Sequence, residues 1–311
     1  MIYEFAVDPV ALNNWQHFRY LIEKFGVEHG RLISEFPDKW RSMVYAACDD
    51  NYNRGQIGEI ERKRIFERLI NISDKLVRLN RKYNSEKEWL ENAEEQHSIK
   101  EFRAIVSIIN PNGQPHILNA SEIDETNPLW KVPRERVIQR KSAKLAECAK
   151  MLLCASKEIL FIDPHFSPKL RRFTDTFSCL VDYAFENKMP QRLELHVEHT
   201  YKSKSYDEWD ADCKRNLPQI VPKGHSLKII RWEEKSGGDK PHPRYVLTEI
   251  GGIRYDYGLD KWDGVGEEKT TDVSLLDSLV YEQRWNDYQN NTTTFELVDE
   301  IIVEGNKSFF N

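Results

Sequence analysis

The stretch KPHPRYVLTEIGGIRYDYGLDKW, Lys240 to Trp262, sets His242 two residues before Arg244, with Glu249 further along. Side chains of an extended segment alternate between faces, so positions 242 and 244 share one. That places an imidazole beside a guanidinium. An imidazole attacks or transfers protons, and a guanidinium holds a phosphate through two parallel hydrogen bonds where a lysine acts as a point charge. The plainer reading of His242 is a histidine that anchors a strand through hydrogen bonds. A second group stands in KEILFIDPHF, where Asp163 and His165 follow a short apolar run. Strand C-termini in α/β sheets line ligand clefts, so both residues belong to the candidate site, and His165 is placed to serve as a second histidine. In ELHVEHT, by contrast, His196 and Glu198 face one way and His199 the other, which gives no compact metal face. No metal and no cofactor is expected.

His242-x-Arg244-x4-Glu249 has the spacing of H-x-K-x4-D, and with this pattern residues of about 150–305 resemble the phospholipase D superfamily. ILFIDPHF resembles the first strand of that fold, and GGIRYDYGLD its hairpin and Gly-Leu-Asp turn. The order of these motifs is similar to the phospholipase-D-like C-terminal module of MIT-domain proteins and to divergent bacterial proteins of defence or mobile loci. The resemblance implies a metal-independent phosphodiesterase in which a histidine forms a phosphohistidine and a second histidine protonates the leaving oxygen. Under it His242 is the nucleophile or the acid, Arg244 binds phosphate, Glu249 orients or supports, and Asp163, His165 and Asp260 support the phosphate site. The chain departs from the pattern at three points. Arg and Glu replace Lys and Asp, the Gly-Ser and Asn that usually follow are absent, and one motif copy occurs. A homodimer must then supply the second copy. The MIT-associated modules imply the other outcome, a fold kept for binding without catalysis.

The elements that must position these residues are legible from Lys157 onward. KEILFIDP reads as a buried strand, SPKLRRFTDTFSCLVDYAFENK as a helix capped by Ser167, and RLELHVEHT as a strand. SYDEWDADCKRNLPQI reads as a helix, and HSLKIIRWEE, RYVLTE and GIRYDYG as strands. LLDSLVYEQRWNDYQNN is a helix and TTFELVDEIIVEG a final strand. Helices alternating with strands predict an α/β domain with a mixed sheet over 136–311, with Gly251 and Gly252 in a hairpin turn.

Upstream, residues 1–95 read as a helical domain. Asp8 and Pro9 start one helix and Pro37 another, and an apolar stripe from Ile57 to Leu79 predicts a third. The other face of that third helix carries Arg62, Lys63, Arg64 and Arg68, which suits phosphates or an acidic partner, although a solvated face is the plainer reading. Residues 96–135 read as a short β-hairpin and linker, with Pro111 and Gly113 in the reversal, and RERVIQRKSAKLAECAKMLLCAS as a helix.

Composition narrows the classes. The chain has 311 residues, 40% hydrophobic and 31% charged, with formal charge −6. This suits a folded two-domain protein and disfavours a globally basic nucleic-acid binder while allowing a local basic patch. Five scattered cysteines without a CxxC predict reduced thiols. No apolar run approaches a membrane span and the N-terminus lacks a signal pattern, so the expected location is cytoplasmic. There is no P-loop, dinucleotide fingerprint or nucleophile elbow. Three readings follow: a nuclease, a non-catalytic binding module, and a regulatory subunit held by a neighbouring gene's product.

Overall fold

The computed structural model describes residues 1–200, 203–241, 243–265, 269–289 and 291–308. His242 therefore lies outside the described residues. The chain divides into two compact units, Met1–Arg134 and Glu135–Asn311.

The first unit is α/β, which corrects the expectation of a helical domain. Its elements run β1 (Tyr3–Val7), α1 (Trp15–Glu23), β2 (Arg31–Ser34), α2 (Trp40–Asn53), α3 (Glu59–Ile70), β3 (Leu76–Val77), α4 (Trp89–Ile99), β4 (Ile105–Ser107) and β5 (Ile117–Asn119). The strands form one sheet in the order β3-β2-β1-β4-β5, with every neighbouring pair parallel. Strands buried on both faces carry no polar-apolar alternation, and β2 and β4 are buried throughout. That removes the periodic signal by which they would be read. The Ile57–Leu79 stripe is likewise no single helix. It breaks after Ile70, and Leu76 and Val77 enter the sheet. The expected hairpin over 101–120 is also corrected, since β4 and β5 pair in parallel. Its Pro-Asn-Gly segment is a loop that carries the chain back to the start of the sheet. Asp8 caps a short 3-10 turn over Pro9–Leu12, while Asn14 caps α1 through the amide of His17. A buried Arg81–Glu4 ion pair, with side chains 4% and 3% exposed, ties the start of β1 to the segment after β3.

The second unit contains β6 (Glu135–Gln139), α5 (Ser142–Ala155), β7 (Glu158–Ile162), α6 (Arg171–Phe185), β8 (Arg192–Glu198), α7 (Tyr206–Asn216), β9 (Ser226–Glu234), β10 (Tyr245–Thr248), β11 (Gly251–Tyr255), β12 (Thr270–Leu275), α8 (Ser278–Asp287) and β13 (Phe295–Glu304). They build an eight-stranded mixed sheet in the order β13-β9-β8-β7-β10-β11-β12-β6. β7, β8 and β9 are parallel, as strands joined by helical crossovers must be to lie side by side. β10 returns antiparallel beside β7, and the meander to β12 and β6 continues that alternation. The segment expected to be helical from residue 134 is first a strand, β6, and then the helix α5.

The hairpin turn between β10 and β11 is Glu249-Ile250, because Thr248 pairs with Gly251. Gly251 and Gly252 open β11 instead of making the turn. A Cβ on Gly252 would stand 2.6 Å from Leu247 Cδ2 and 2.8 Å from Leu276 Cδ1, so the close packing of this strand requires glycine there. α7 starts with a reciprocal capping box between Ser205 and Glu208. Four of the five cysteine thiols are buried and all are free. Burial pushes the Cys48 thiol up to about 11 and Cys213 to about 12.

Candidate functional site

β10 runs antiparallel to β7, with Tyr245 opposite Ile162 and Thr248 opposite Ile159. This register decides where the motif residues go. Arg244 immediately precedes β10 and so arrives at the end of β7 that carries Asp163. Glu249 follows β10 and is carried to the opposite end, about 16 Å away at the rise of an extended strand. There its carboxylate accepts the amides of Lys157 (2.5 Å) and Glu158 (2.9 Å). Glu249 thus caps the start of β7, and the register separates it from Arg244.

Asp163 is 1% exposed. Its Oδ1 accepts the amide of His165 at 3.0 Å and its Oδ2 the amide of Leu259 at 2.8 Å. Burial pushes this carboxyl above the usual range; the two amides and Arg244 pull against that, and Asp260 pushes it further up. His165 itself is exposed at the mouth of the same turn. Gly258 makes the approach of these groups possible. Its φ is +132°, and a Cβ there would lie 3.0 Å from Asp260 Oδ1, 3.1 Å from Asp163 Oδ2 and 3.9 Å from Arg244 Cγ. Asp260 is in turn clamped by Arg140, at 2.7 Å from Nη2, with Arg172 Nε at 3.8 Å. Arg140 also lies over the Tyr257 ring.

Arg244 is half-buried. Its Nε is sealed from solvent without a hydrogen-bond partner, and its guanidinium makes no ion pair among the described residues. The neighbouring Arg140 is paired, and so are Arg192, Arg231 and Arg284 elsewhere in the unit. A guanidinium left with donors to spare beside a buried carboxyl is suited to a tetrahedral anion.

Of the residues singled out in the sequence, Asp163, His165, Arg244 and Asp260 gather at one end of the sheet, and Glu249 does not join them. Arg140 and Arg172 join the cluster from segments in which spacing gave them no role, and Gly258 is the glycine of the Gly-Leu-Asp turn read from the sequence. The only signal for Arg140 was the basic character of the VIQRKSAK segment. On α3, Arg62 is bonded to Asp49 and lies over the Tyr52 and Phe66 rings, while Lys63 pairs with Glu59 at 2.7 Å. Arg64 and Arg68 are exposed.

His196 takes a structural place. It is fully buried, and its Nδ1 accepts the indole N–H of Trp232 at 2.9 Å. An indole only donates, so Nε2 carries the proton and gives it to Glu194 at 3.1 Å. Burial lowers the His196 pKa and keeps the ring neutral. Burial alone would raise the Glu194 carboxyl, but donors from His196 and Arg192 outweigh it and hold the carboxyl well below the usual range. No group of three metal-ligating side chains occurs among the described residues. No described helix is long and apolar enough to cross a membrane.

No protein-family model and no curated protein sequence matches the chain. Among solved structures it is similar to the crystal structure of Nuc, a phospholipase D family member from Salmonella typhimurium, with 10% identity and a TM-score of 0.32 over 53% of this chain and 97% of that one.

Proposed function

We propose that the second unit is a phospholipase-D-like phosphodiesterase directed at nucleic acid. Arg244 grips the non-bridging oxygens and His242 is the nucleophile. The observation that carries this reading is the Arg244 guanidinium, unpaired among the described residues at the C-terminal end of β7, two residues from His242 and beside Asp163. Ligands of open α/β sheets lie beyond the carboxyl ends of their parallel strands, which is where this group stands. A cation with free donors there offsets the charge that builds on the equatorial oxygens during displacement at phosphorus. The chain carries one copy of the motif, so the histidine that protonates the leaving oxygen comes from a second copy of the chain in a homodimer. A defence or mobile-element setting fits the second resemblance drawn from the sequence, and a neighbouring gene's product is then the partner to seek.

The test is cleavage of labelled single- and double-stranded DNA and RNA in EDTA. The wild type cleaves, His242→Ala binds without cleaving, and Arg244→Gln loses affinity. Absence of cleavage from every substrate, with binding that ignores Arg244, overturns the reading.

A second reading, a non-catalytic phosphodiester-binding module, draws on Glu249. The carboxylate expected near the histidine is committed to capping β7. Under this reading binding depends on Arg244 and no substrate is cleaved by either His242 variant or wild type.

A further inference from the structure

The Arg244 site has an aromatic rim. Tyr257 is 60% exposed, the most exposed tyrosine, tryptophan or phenylalanine among the described residues. A single exposed ring is ordinary on a protein surface. Three observations set this one apart.

The first is its support. The Arg140 guanidinium covers one face of the ring, with Cζ 5.2 Å from the ring centre. Arg140 is itself fixed, since its side chain is 9% exposed and bonded to Asp260 at 2.7 Å. A cation at this distance is attracted to the π-face, so it holds the ring from below and leaves the opposite face to solvent.

The second is its backbone. Tyr255 N–H donates to the Arg244 carbonyl at 3.0 Å, and Asp256 N–H to the Asp272 carbonyl at 3.1 Å. Tyr257 N–H donates to Thr271 Oγ1 at 3.3 Å, and Leu259 N–H to Asp163 Oδ2 at 2.8 Å. The tyrosine therefore stands on a segment pinned on both sides. A ring already held in position loses little freedom when a second ring settles on it.

The third is its place. Gly258 follows Tyr257, and a Cβ on Gly258 would stand 3.9 Å from Arg244 Cγ. Adjacent Cα atoms are about 3.8 Å apart, so the tyrosine and the arginine leave the backbone within about 10 Å of each other. The support leads to the same point, because the Asp260 Oδ1 that Arg140 grips lies 3.0 Å from that Cβ position.

A bare, rigid π-face beside a phosphate grip matches one kind of ligand. Every nucleobase has a π-face to lay on an aromatic side chain, whatever its sequence. A base inside a duplex already has its faces stacked on its neighbours, and exposing one costs unstacking. Resting on the reading of the second unit as a nucleic-acid phosphodiester site, we infer that Tyr257 is a stacking platform for an unpaired base next to the phosphate held by Arg244. The substrate class is single-stranded nucleic acid, and Tyr257 is the residue that selects it.

The experiment uses the full chain carrying His242→Ala, so that the probe survives the measurement. Affinity is measured across a salt series for three fluorescent probes of equal length: oligothymidylate, an abasic deoxyribose-phosphate chain, and a duplex. The proteins are the His242→Ala parent and the same chain with Tyr257→Leu, Tyr257→Trp or Arg244→Gln. Leucine keeps an apolar cover over Arg140 but offers no flat π-face, and tryptophan restores one.

The parent should bind oligothymidylate about tenfold more tightly than the abasic chain, and Tyr257→Leu should erase that preference while Tyr257→Trp keeps it. Affinity for the abasic chain and the duplex should not change in Tyr257→Leu. Stacking releases no counterions, so the log–log salt slope should also stay as it is in that variant. A parent without preference for bases overturns the inference, as does a preference that survives Tyr257→Leu. Equal weakening toward all three probes makes the ring a mere cover for the Arg140–Asp260 pair and also overturns it. Should Tyr257→Leu fail to fold, Tyr257→Trp decides: its added fluorescence is quenched by oligothymidylate and not by the abasic chain, and any other response overturns the platform. Arg244→Gln judges the underlying reading separately, through the slope. It should lower the slope by about 0.7, one single-strand phosphate contact, toward oligothymidylate and the abasic chain alike. An unchanged slope there removes the phosphate site and the platform with it, whereas failure at Tyr257 alone leaves the Arg244 site standing.

Discussion

Asp163 and Asp260 approach each other across a residue that has no side chain. Asp163 Oδ2 and Asp260 Oδ1 lie 3.1 Å and 3.0 Å from the point where a Cβ on Gly258 would be. Two carboxyls this close stay together because one is buried with backbone donors while the other is clamped by Arg140. Gly258 thus sets the spacing of the cluster, and Arg244 borders the same gap.

Gly258→Ala tests that relationship. The backbone at φ +132° strains any L side chain, and the added methyl meets two carboxylate oxygens. The expected cost is about 1–3 kcal/mol of stability, read by chemical denaturation, together with weakened nucleic-acid binding. A variant as stable as wild type would show that the approach of the two carboxyls does not require glycine at this position.

Asp163→Asn tests the electrostatics. The folded protein holds the Asp163 proton more tightly than the unfolded chain does, whose value is near 3.8. The native state is therefore favoured below that pH, and this contribution is lost as pH rises through the raised folded value. Losing the Leu259 amide's acceptor costs the variant a constant amount at every pH. The stability advantage of wild type over the variant should accordingly be larger near pH 3.5 than at pH 7. A difference that is flat, or that grows with pH, contradicts burial as the dominant influence.

The Trp232–His196–Glu194–Arg192 chain gives the opposite sign of pH dependence at Glu194. Its carboxyl is held low, so its contribution is present above the unfolded value of 4.5 and fades as pH falls below it. His196→Leu strands the Trp232 indole N–H and removes a donor from Glu194. Each stranded group costs about 1–3 kcal/mol, measurable by urea denaturation at pH 7. Cleavage or binding per folded molecule should not change, since the network lies in the core.

In the first unit, Arg81→Met leaves the Glu4 carboxylate without its buried partner. Ser34 still donates to it, but the charge is uncompensated. Breaking such a pair from one side costs about 3–5 kcal/mol, and the unfolding midpoint of the full chain should fall accordingly.

On α3, Arg64→Ala with Arg68→Ala should weaken nucleic-acid binding and lower the salt slope without changing the unfolding midpoint, if this face meets phosphates. Arg62→Ala should instead lower the midpoint, because that side chain is engaged with Asp49 and two rings. Equal salt slopes in wild type and the double variant would mark α3 as a solvated face.

The alternation of strands and helices from residue 157 onward was legible because each element carries its own signal. Apolar runs of strand length end at Asp-Pro or Gly, and Ser205 with Glu208 announces a helix start. β12 gave no such signal. Its TTDVSL is short, with only Val273 and Leu275 apolar, and it is held as a strand by β11 and β6 on either side.

What the sequence determined by itself is the local grammar: which segments of the second unit extend or coil, and that His242 and Arg244 are two residues apart in a chain that is net acidic. Tertiary structure decided the rest. Parallel pairing turned short apolar runs of the first unit into a sheet, since strands covered on both faces owe their state to neighbours and not to their own period. Antiparallel pairing of β10 with β7 sent Arg244 to Asp163 and Glu249 to the far end, although five residues is a short distance along the chain. Arg140, 120 residues from Asp260 in sequence, reaches it in the fold because strand order, unlike residue order, sets which charges become neighbours.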